Sequence, residues 1–155
     1  YAATGRSARL RVLTSPMHTS RLWLSLTILA LPIQAKAQAT LSDAATRAKD
    51  AWSAHDAQGL VGQSSTLILQ IPGSDPSSPL GRPQAIELLR RYFRPAEERG
   101  LDVTATREVE PGKGFVELTR RYVVAGTTEL RRETLFLGYR LLDHEWRLVE
   151  LRSAP

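Results

Sequence analysis

The feature that most constrains this chain is a change of hydrophobic period at Gly100. Beyond it, Leu101, Val103, Ala105, Arg107 and Val109 alternate with Asp102, Thr104, Thr106, Glu108 and Glu110. That period of two is the mark of a half-buried antiparallel strand. Pro111-Gly112-Lys113-Gly114 then turns the chain. Gly114 to Val124, Glu129 to Leu142 and Glu145 to Arg152 read as three further strands, joined near Gly126-Thr127 and Asp143-His144.

Upstream of Gly100 the period is helical. Ser42 reads as an N-cap with Asp43 in the first turn, and Leu41, Ala45, Ala48 and Trp52 recur on one face, so a helix is expected over about 42–55. Asp56 is placed to cap a short second helix from Ala57 to Gln63. Thr66 to Ile71 is an apolar strand, and the Pro- and Gly-rich stretch Pro72 to Gly81 reads as a loop. Pro83 opens a third helix whose apolar face is Ile86, Leu89 and Phe93, widened by Ala85, Leu88 and Tyr92. Helices followed by a run of long strands predict an α+β domain, with the helices packed on one face of a strongly curved antiparallel sheet forming a half-open cone.

Charge divides the chain. The 155 residues carry a formal net charge of +5, from 21 basic and 16 acidic residues. Five of the basic residues (Arg6, Arg9, Arg11, Arg21, Lys36) and none of the acids fall in 1–39, so 40–155 is neutral. The basicity is therefore a property of the leader and gives no footing for nucleic-acid binding. Within that leader, Met17 and Arg21 precede the apolar run Leu22 to Ile33, followed by the small-x-small sites Ala35-Lys36-Ala37 and Ala37-Gln38-Ala39. Residues 17–39 are expected to be a signal peptide, too short to span a bilayer, with cleavage after Ala37 or Ala39. Residues 1–16 are expected to be an upstream, non-structural segment, and 40–155 the single domain. The expected destination is the periplasm or exterior of a bacterium, with no stable membrane anchor after cleavage. The absence of cysteine excludes disulfides, thiolate metal sites and a cysteine nucleophile.

The order of elements resembles the nuclear transport factor 2-like superfamily, which includes ketosteroid isomerases and polyketide cyclase-like proteins. The resemblance covers roughly 42–152. It rests on the helical Trp52, the His55-Asp56-Ala57 bend, the strand Thr66 to Ile71, and the Gly81-x-x-x-Ala85-Ile86 entry to a helix ending in Phe93. The closing Glu145-Trp146-Arg147-Leu148-Val149-Glu150-Leu151 strand completes it. The resemblance implies a cone that holds a ligand pocket. It assigns no activity, because that fold serves catalysts, binders and assembly modules alike.

Ketosteroid-isomerase-like chemistry needs a carboxylate base in an apolar pocket and a tyrosine or protonated acid at the oxyanion. Tyr92, Tyr122 and Tyr139 are candidate donors. Glu117 and Glu133 alternate with apolar neighbours, but arginines are within reach of both. In either hairpin register Glu133 falls opposite Arg120 or Arg121, which reads as a cross-strand ion pair. No position matches the family's catalytic motif, so no catalytic residue is assigned. His55 reads as a half-buried packing residue, with a place at the pocket mouth as the alternative. Asp143-His144-Glu145 reads as a solvated turn, because contiguous residues there cannot converge on one ion; no metal and no cofactor is expected. Pro111-Gly112-Lys113-Gly114 lacks the spacing of a phosphate loop, and no G-x-S-x-G or H-E-x-x-H occurs.

The arginine pairs are sharper. Each of Arg120-Arg121 and Arg131-Arg132 splits across the two faces of its strand, so one of each points into the cone, where a carboxylate or phosphate would be held. The expected ligand-facing set is Trp52, Tyr92, Arg120, Tyr122, Arg132 and Tyr139. The expected function is a non-catalytic small-ligand-binding or interaction module for an anionic or apolar ligand. The alternative is a cofactor-free enzyme (isomerase, cyclase or hydrolase) using a carboxylate or His with a Tyr. A homodimer through the sheet would bury Trp146 and Leu148, or Val149 and Leu151, between subunits.

Overall fold

Nine elements follow one another along residues 39–155, the part of the chain that the computed structural model describes. The expected signal peptide and the upstream segment lie outside the described residues, apart from Ala39. The helices are α1 (Leu41–Ser53), α2 (Ala57–Val61) and α3 (Arg82–Phe93). The strands are β1 (Thr66–Gln70), β2 (Leu80–Gly81), β3 (Ala96–Glu110), β4 (Lys113–Val124), β5 (Leu130–Leu142) and β6 (Glu145–Ala154). They form one curved, unclosed sheet in the order β2-β1-β6-β5-β4-β3, antiparallel except where β1 runs parallel to β6. This is the expected α+β architecture.

The helices start where side chains satisfy their free N–H groups, though α1 does so two residues earlier than expected. Its N-cap is Thr40, not Ser42. Thr40 Oγ1 accepts from the Asp43 amide at 3.1 Å, and Asp43 accepts back from the Thr40 amide at 2.9 Å, a reciprocal box worth more than either bond alone. Asp56 caps α2 through the Gly59 amide at 2.9 Å, as its position suggests. One face of α1 (Ala44, Ala45, Ala48, Trp52) and one of α3 (Ala85, Leu89, Phe93) are buried in the core, α1 lying chiefly against β3 and α3 against α2, β1 and β2. Trp52 and Phe93 meet edge to face with centroids 4.9 Å apart. Truncating either to Ala is expected to cost about 3–5 kcal/mol. Gly114 lets α1 come this close: a Cβ there would fall 2.5 Å from Leu41 Cδ2 and 3.1 Å from the Arg107 carbonyl.

The sheet departs from strict alternation in ways that matter for the site. β3 begins at Ala96, so Gly100 lies inside a strand rather than ending the helical region. Register shifts between Glu98 and Gly100, between Val103 and Ala105 and between Glu108 and Glu110 change the parity of β3 three times. Ala105 pairs with Glu117 and Arg107 with Phe115, so both face away from the helices; the single-face reading of Leu101 through Val109 fails there. A second irregularity, opposite Gly138–Tyr139, makes Val149 the extra residue in β6. Trp146, Leu148 and Leu151 thereby all face the core of the chain itself. β6 also runs past Arg152 to include Ser153. Within the expected loop, Leu80–Gly81 pairs with β1 as a two-residue edge strand.

Candidate functional site

The inner face of the sheet is apolar along most of its length and then becomes charged at one end. On β4 the inward residues run Val116, Leu118, Arg120, Tyr122; on β5 they run Tyr139, Leu137, Leu135, Glu133, Arg131. Register places Arg120 directly opposite Glu133. Arg120 is 1% exposed and Glu133 2% exposed. Taking both charges out of water is tolerable only because they are paired, Arg120 Nη1 donating to Glu133 Oε2 at 3.1 Å. The cross-strand ion pair read from the sequence is therefore present.

Glu98 was not read from the sequence at all. It enters from β3, where its carboxylate Oε1 lies 2.7 Å from Arg120 Nη2. The angle there is not that of a hydrogen bond, so the contact is a close ion pair that leaves Nη2 without an aligned acceptor. Trp52 Nε1 donates to the same Glu98 oxygen at 3.1 Å, and His55 Nε2 approaches it at 3.8 Å while its ring stacks on Phe93. The remaining Glu133 oxygen accepts from the Tyr92 and Ser153 hydroxyls. Burial pushes the Glu133 pKa up, against the lowering effect of Tyr92 and Arg120, and burial with the Glu133 contact pushes the Tyr92 hydroxyl up as well. The guanidinium also stacks under Tyr122, 3.9 Å from its ring centroid, with Trp52 and Tyr92 at 5.2 and 5.4 Å.

Above this cluster opens a pocket of about 500 Å³. Ile71, Leu88, Pro95 and Val124 give it apolar walls, Tyr92, Tyr122 and Arg120 its floor, and Arg91 and Arg131 its rim. Leu88, expected in the core stripe, is 41% exposed here. The rim arginines hold only exposed carboxylates, Glu87 at 3.1 Å and Glu129 at 3.5 Å. Such surface pairs are worth about 0–1 kcal/mol and release their cations readily.

The structure brings together four of the six expected ligand-facing residues: Trp52, Tyr92, Arg120 and Tyr122. Arg132 is corrected. It pairs with Arg121 on the outer face, and Arg131, opposite Tyr122, is the arginine that turns toward the pocket. Tyr139 faces inward but at the far end of β5, eight residues from Arg131, roughly 27 Å along the strand. Glu98 and Ser153 were missed because the sequence reading ends the helical region at Gly100 and the last strand at Arg152. The Ala96-x-Glu98 alternation was the one available signal. Asp143 and His144 form the expected turn, with φ of 51° and 65°. No group of metal-ligating side chains occurs among the described residues, and no helix there is long and apolar enough to cross a membrane.

Solved structures share this fold. A ketosteroid isomerase-like protein from Erwinia carotovora atroseptica superposes with a TM-score of 0.62 at 13% identity, over 78% of this chain and 99% of that one. This chain has the nuclear transport factor 2-like fold. A protein of the NTF2-like family from Streptomyces avermitilis gives 0.58 at 16% identity, over 74% of this chain and 92% of that one. A DUF4783 family protein from Bacteroides ovatus gives 0.56 at 12%, over 69% and 90%. At these identities the likeness concerns the nuclear transport factor 2-like fold alone. No family model matches the sequence, and no curated protein matches it.

Proposed function

We propose that this chain is an exported, non-catalytic small-ligand-binding module, and that its ligand is an apolar molecule carrying one anionic group at the rim of the α3 pocket. One observation carries the reading. Every oxygen of Glu133, the carboxylate beneath the pocket, already has a partner, and Arg120 is neutralised by two carboxylates. Glu133 therefore has no free oxygen to offer a substrate, and the charge of Arg120 is matched by Glu98 and Glu133, although Arg120 Nε, Arg120 Nη2 and Glu98 Oε2 have no hydrogen-bond partner among the described residues. The apolar walls supply binding energy, and Arg91 and Arg131 supply the charge for an anionic end.

The test is native mass spectrometry of the protein secreted by its own host. A small-molecule adduct is expected, weakened about tenfold or more in Arg91→Ala/Arg131→Ala and retained in Arg132→Ala. A bare protein that binds no fatty acid or other amphiphilic anion overturns the reading. The same spectrum reports the processed N-terminus: a mass beginning at residue 38 or 40 supports export, and a secreted species still carrying residues 17–37 counts against a cleaved signal. The catalytic alternative is favoured by one feature, the Tyr92 hydroxyl set between the pocket and Glu133. It requires turnover that Tyr92→Phe abolishes.

A further inference from the structure

The outer face of the sheet, turned away from the helices, carries a row of like charges. Lys113 on β4 stands directly opposite Arg140 on β5, and Arg140 directly opposite Arg147 on β6. Residues in register share a face, and each of the three lies next to a buried inward neighbour: Gly114, Tyr139 and Trp146. Like charges directly opposite one another destabilise a sheet, so the row is a cost unless an anion lies over it. The chain's own carboxylates reach only its two ends. Glu110, in register with Lys113 on β3, approaches Lys113 Nζ at 3.7 Å, and Asp143 accepts from Arg147 Nη2 at 2.8 Å. Arg140, in the middle, is exposed and has no ion pair among the described residues.

Beside the middle of the row lies a hollow of about 370 Å³, lined by both Lys113 and Arg140. Gly138, two residues before Arg140 on the same face, leaves bare backbone there between Phe115 on one side and Glu150 on the other. Ile68, Val109, Phe115 and Val149 give the hollow apolar walls. Its one carboxylate, Glu150, is already engaged by Arg152 Nε at 2.6 Å. The other charges on this end of the face are Arg107, Lys113, Arg140 and Arg147 against Glu110, Asp143 and Glu145. That leaves one positive charge in surplus, at Arg140. We propose that this hollow binds a small aromatic monocarboxylate, its ring over Gly138 and beside Phe115, its carboxylate on Arg140 and Lys113. A ring lying over a strand glycine is a favourable arrangement in sheets. Two residues of strand, roughly 7 Å, separate that ring position from Arg140, whose planar fork suits a carboxylate. The site is on the opposite face of the sheet from the α3 pocket and does not depend on what that pocket holds.

Benzoate is the probe, followed by amide NMR shifts of the folded protein. Saturable shifts are expected at Gly138 and Arg140, and equally in Arg91→Ala/Arg131→Ala, which separates them from binding at the α3 rim. Arg140→Gln is expected to weaken binding about tenfold. Its melting temperature should be unchanged or higher, since it removes the middle charge of the row. Arg132→Gln, at the far end of the same face, should retain full affinity. Benzamide, the same ring without the charge, should bind about tenfold more weakly or not at all. No saturable shift at Gly138 and Arg140, equal affinity for benzamide, tighter binding of inorganic phosphate, or full affinity in Arg140→Gln would each overturn the proposal.

Discussion

Arg120 on the inner face of the sheet and Arg147 on its outer face stand near opposite ends of the long strands, and their surroundings differ in kind. Arg120 is clasped by Glu98 and Glu133 and covered by the ring of Tyr122. Arg147, alternating with the inward Trp146 and Leu148, has one exposed carboxylate, Asp143. At the first end the chain has supplied its own counter-charges, so the pocket above is read through its apolar walls and rim. At the second the counter-charge is a single exposed carboxylate. An inward arginine is thus no marker of anion binding by itself. What decides is whether carboxylates from neighbouring strands reach it first.

The largest effect should come from breaking the closed end. Arg120→Met leaves two buried carboxylates unpaired and is expected to lower stability by about 3–5 kcal/mol in urea denaturation. Arg120→Met/Glu98→Gln/Glu133→Gln should recover most of that loss. A triple variant as weak as the single one would show that packing, not charge, is what Arg120 provides.

Next comes pH. Burial raises the Glu133 pKa above its ordinary 4.5, so the folded state holds a proton that the unfolded state has lost. Unfolding therefore releases a proton in that window: the contribution of this group is greatest below about 4.5 and falls as pH rises through the folded pKa. Glu133→Gln should flatten this part of the stability–pH curve, and an unchanged slope would assign the effect to another group.

Ser64 predicts a smaller change of opposite sign. Ser64→Ala should leave stability unchanged or raise it by about 1 kcal/mol, because it deletes a buried hydroxyl without a partner. A loss of more than that, read by thermal melts, would mean that the hydroxyl is satisfied in solution. Smallest of all, Arg131→Ala and Arg132→Ala should each shift stability by less than about 0.5 kcal/mol. They should differ only in ligand retention, which Arg131→Ala alone impairs.

Some of this contrast was legible in the sequence. Arg120 opposite Glu133 follows from hairpin register within one residue, and the alternation of β4 and β5 puts both on one face. Glu98 was not legible, because its approach depends on a parity change in β3 that the alternation past Gly100 does not announce. The error with Arg132 has a simple origin: adjacent residues on a strand face opposite ways, so one step of register exchanges it with Arg131. The unpartnered Ser64 hydroxyl left no trace in sequence, since a serine after a short helix is ordinarily a solvated one.

By itself the sequence determined the class of fold. The helical spacing of Ala45, Ala48 and Trp52, the caps at the helix starts and the period of two after Gly100 are local patterns, and local patterns follow from backbone geometry and the burial of one face. Tertiary structure alone decided which charges meet. Glu98, Arg120, Glu133 and Ser153 come from four different strands, and bulges worth one residue each set which of them turn inward. Such a meeting depends on register summed across the sheet, a quantity that no single segment contains.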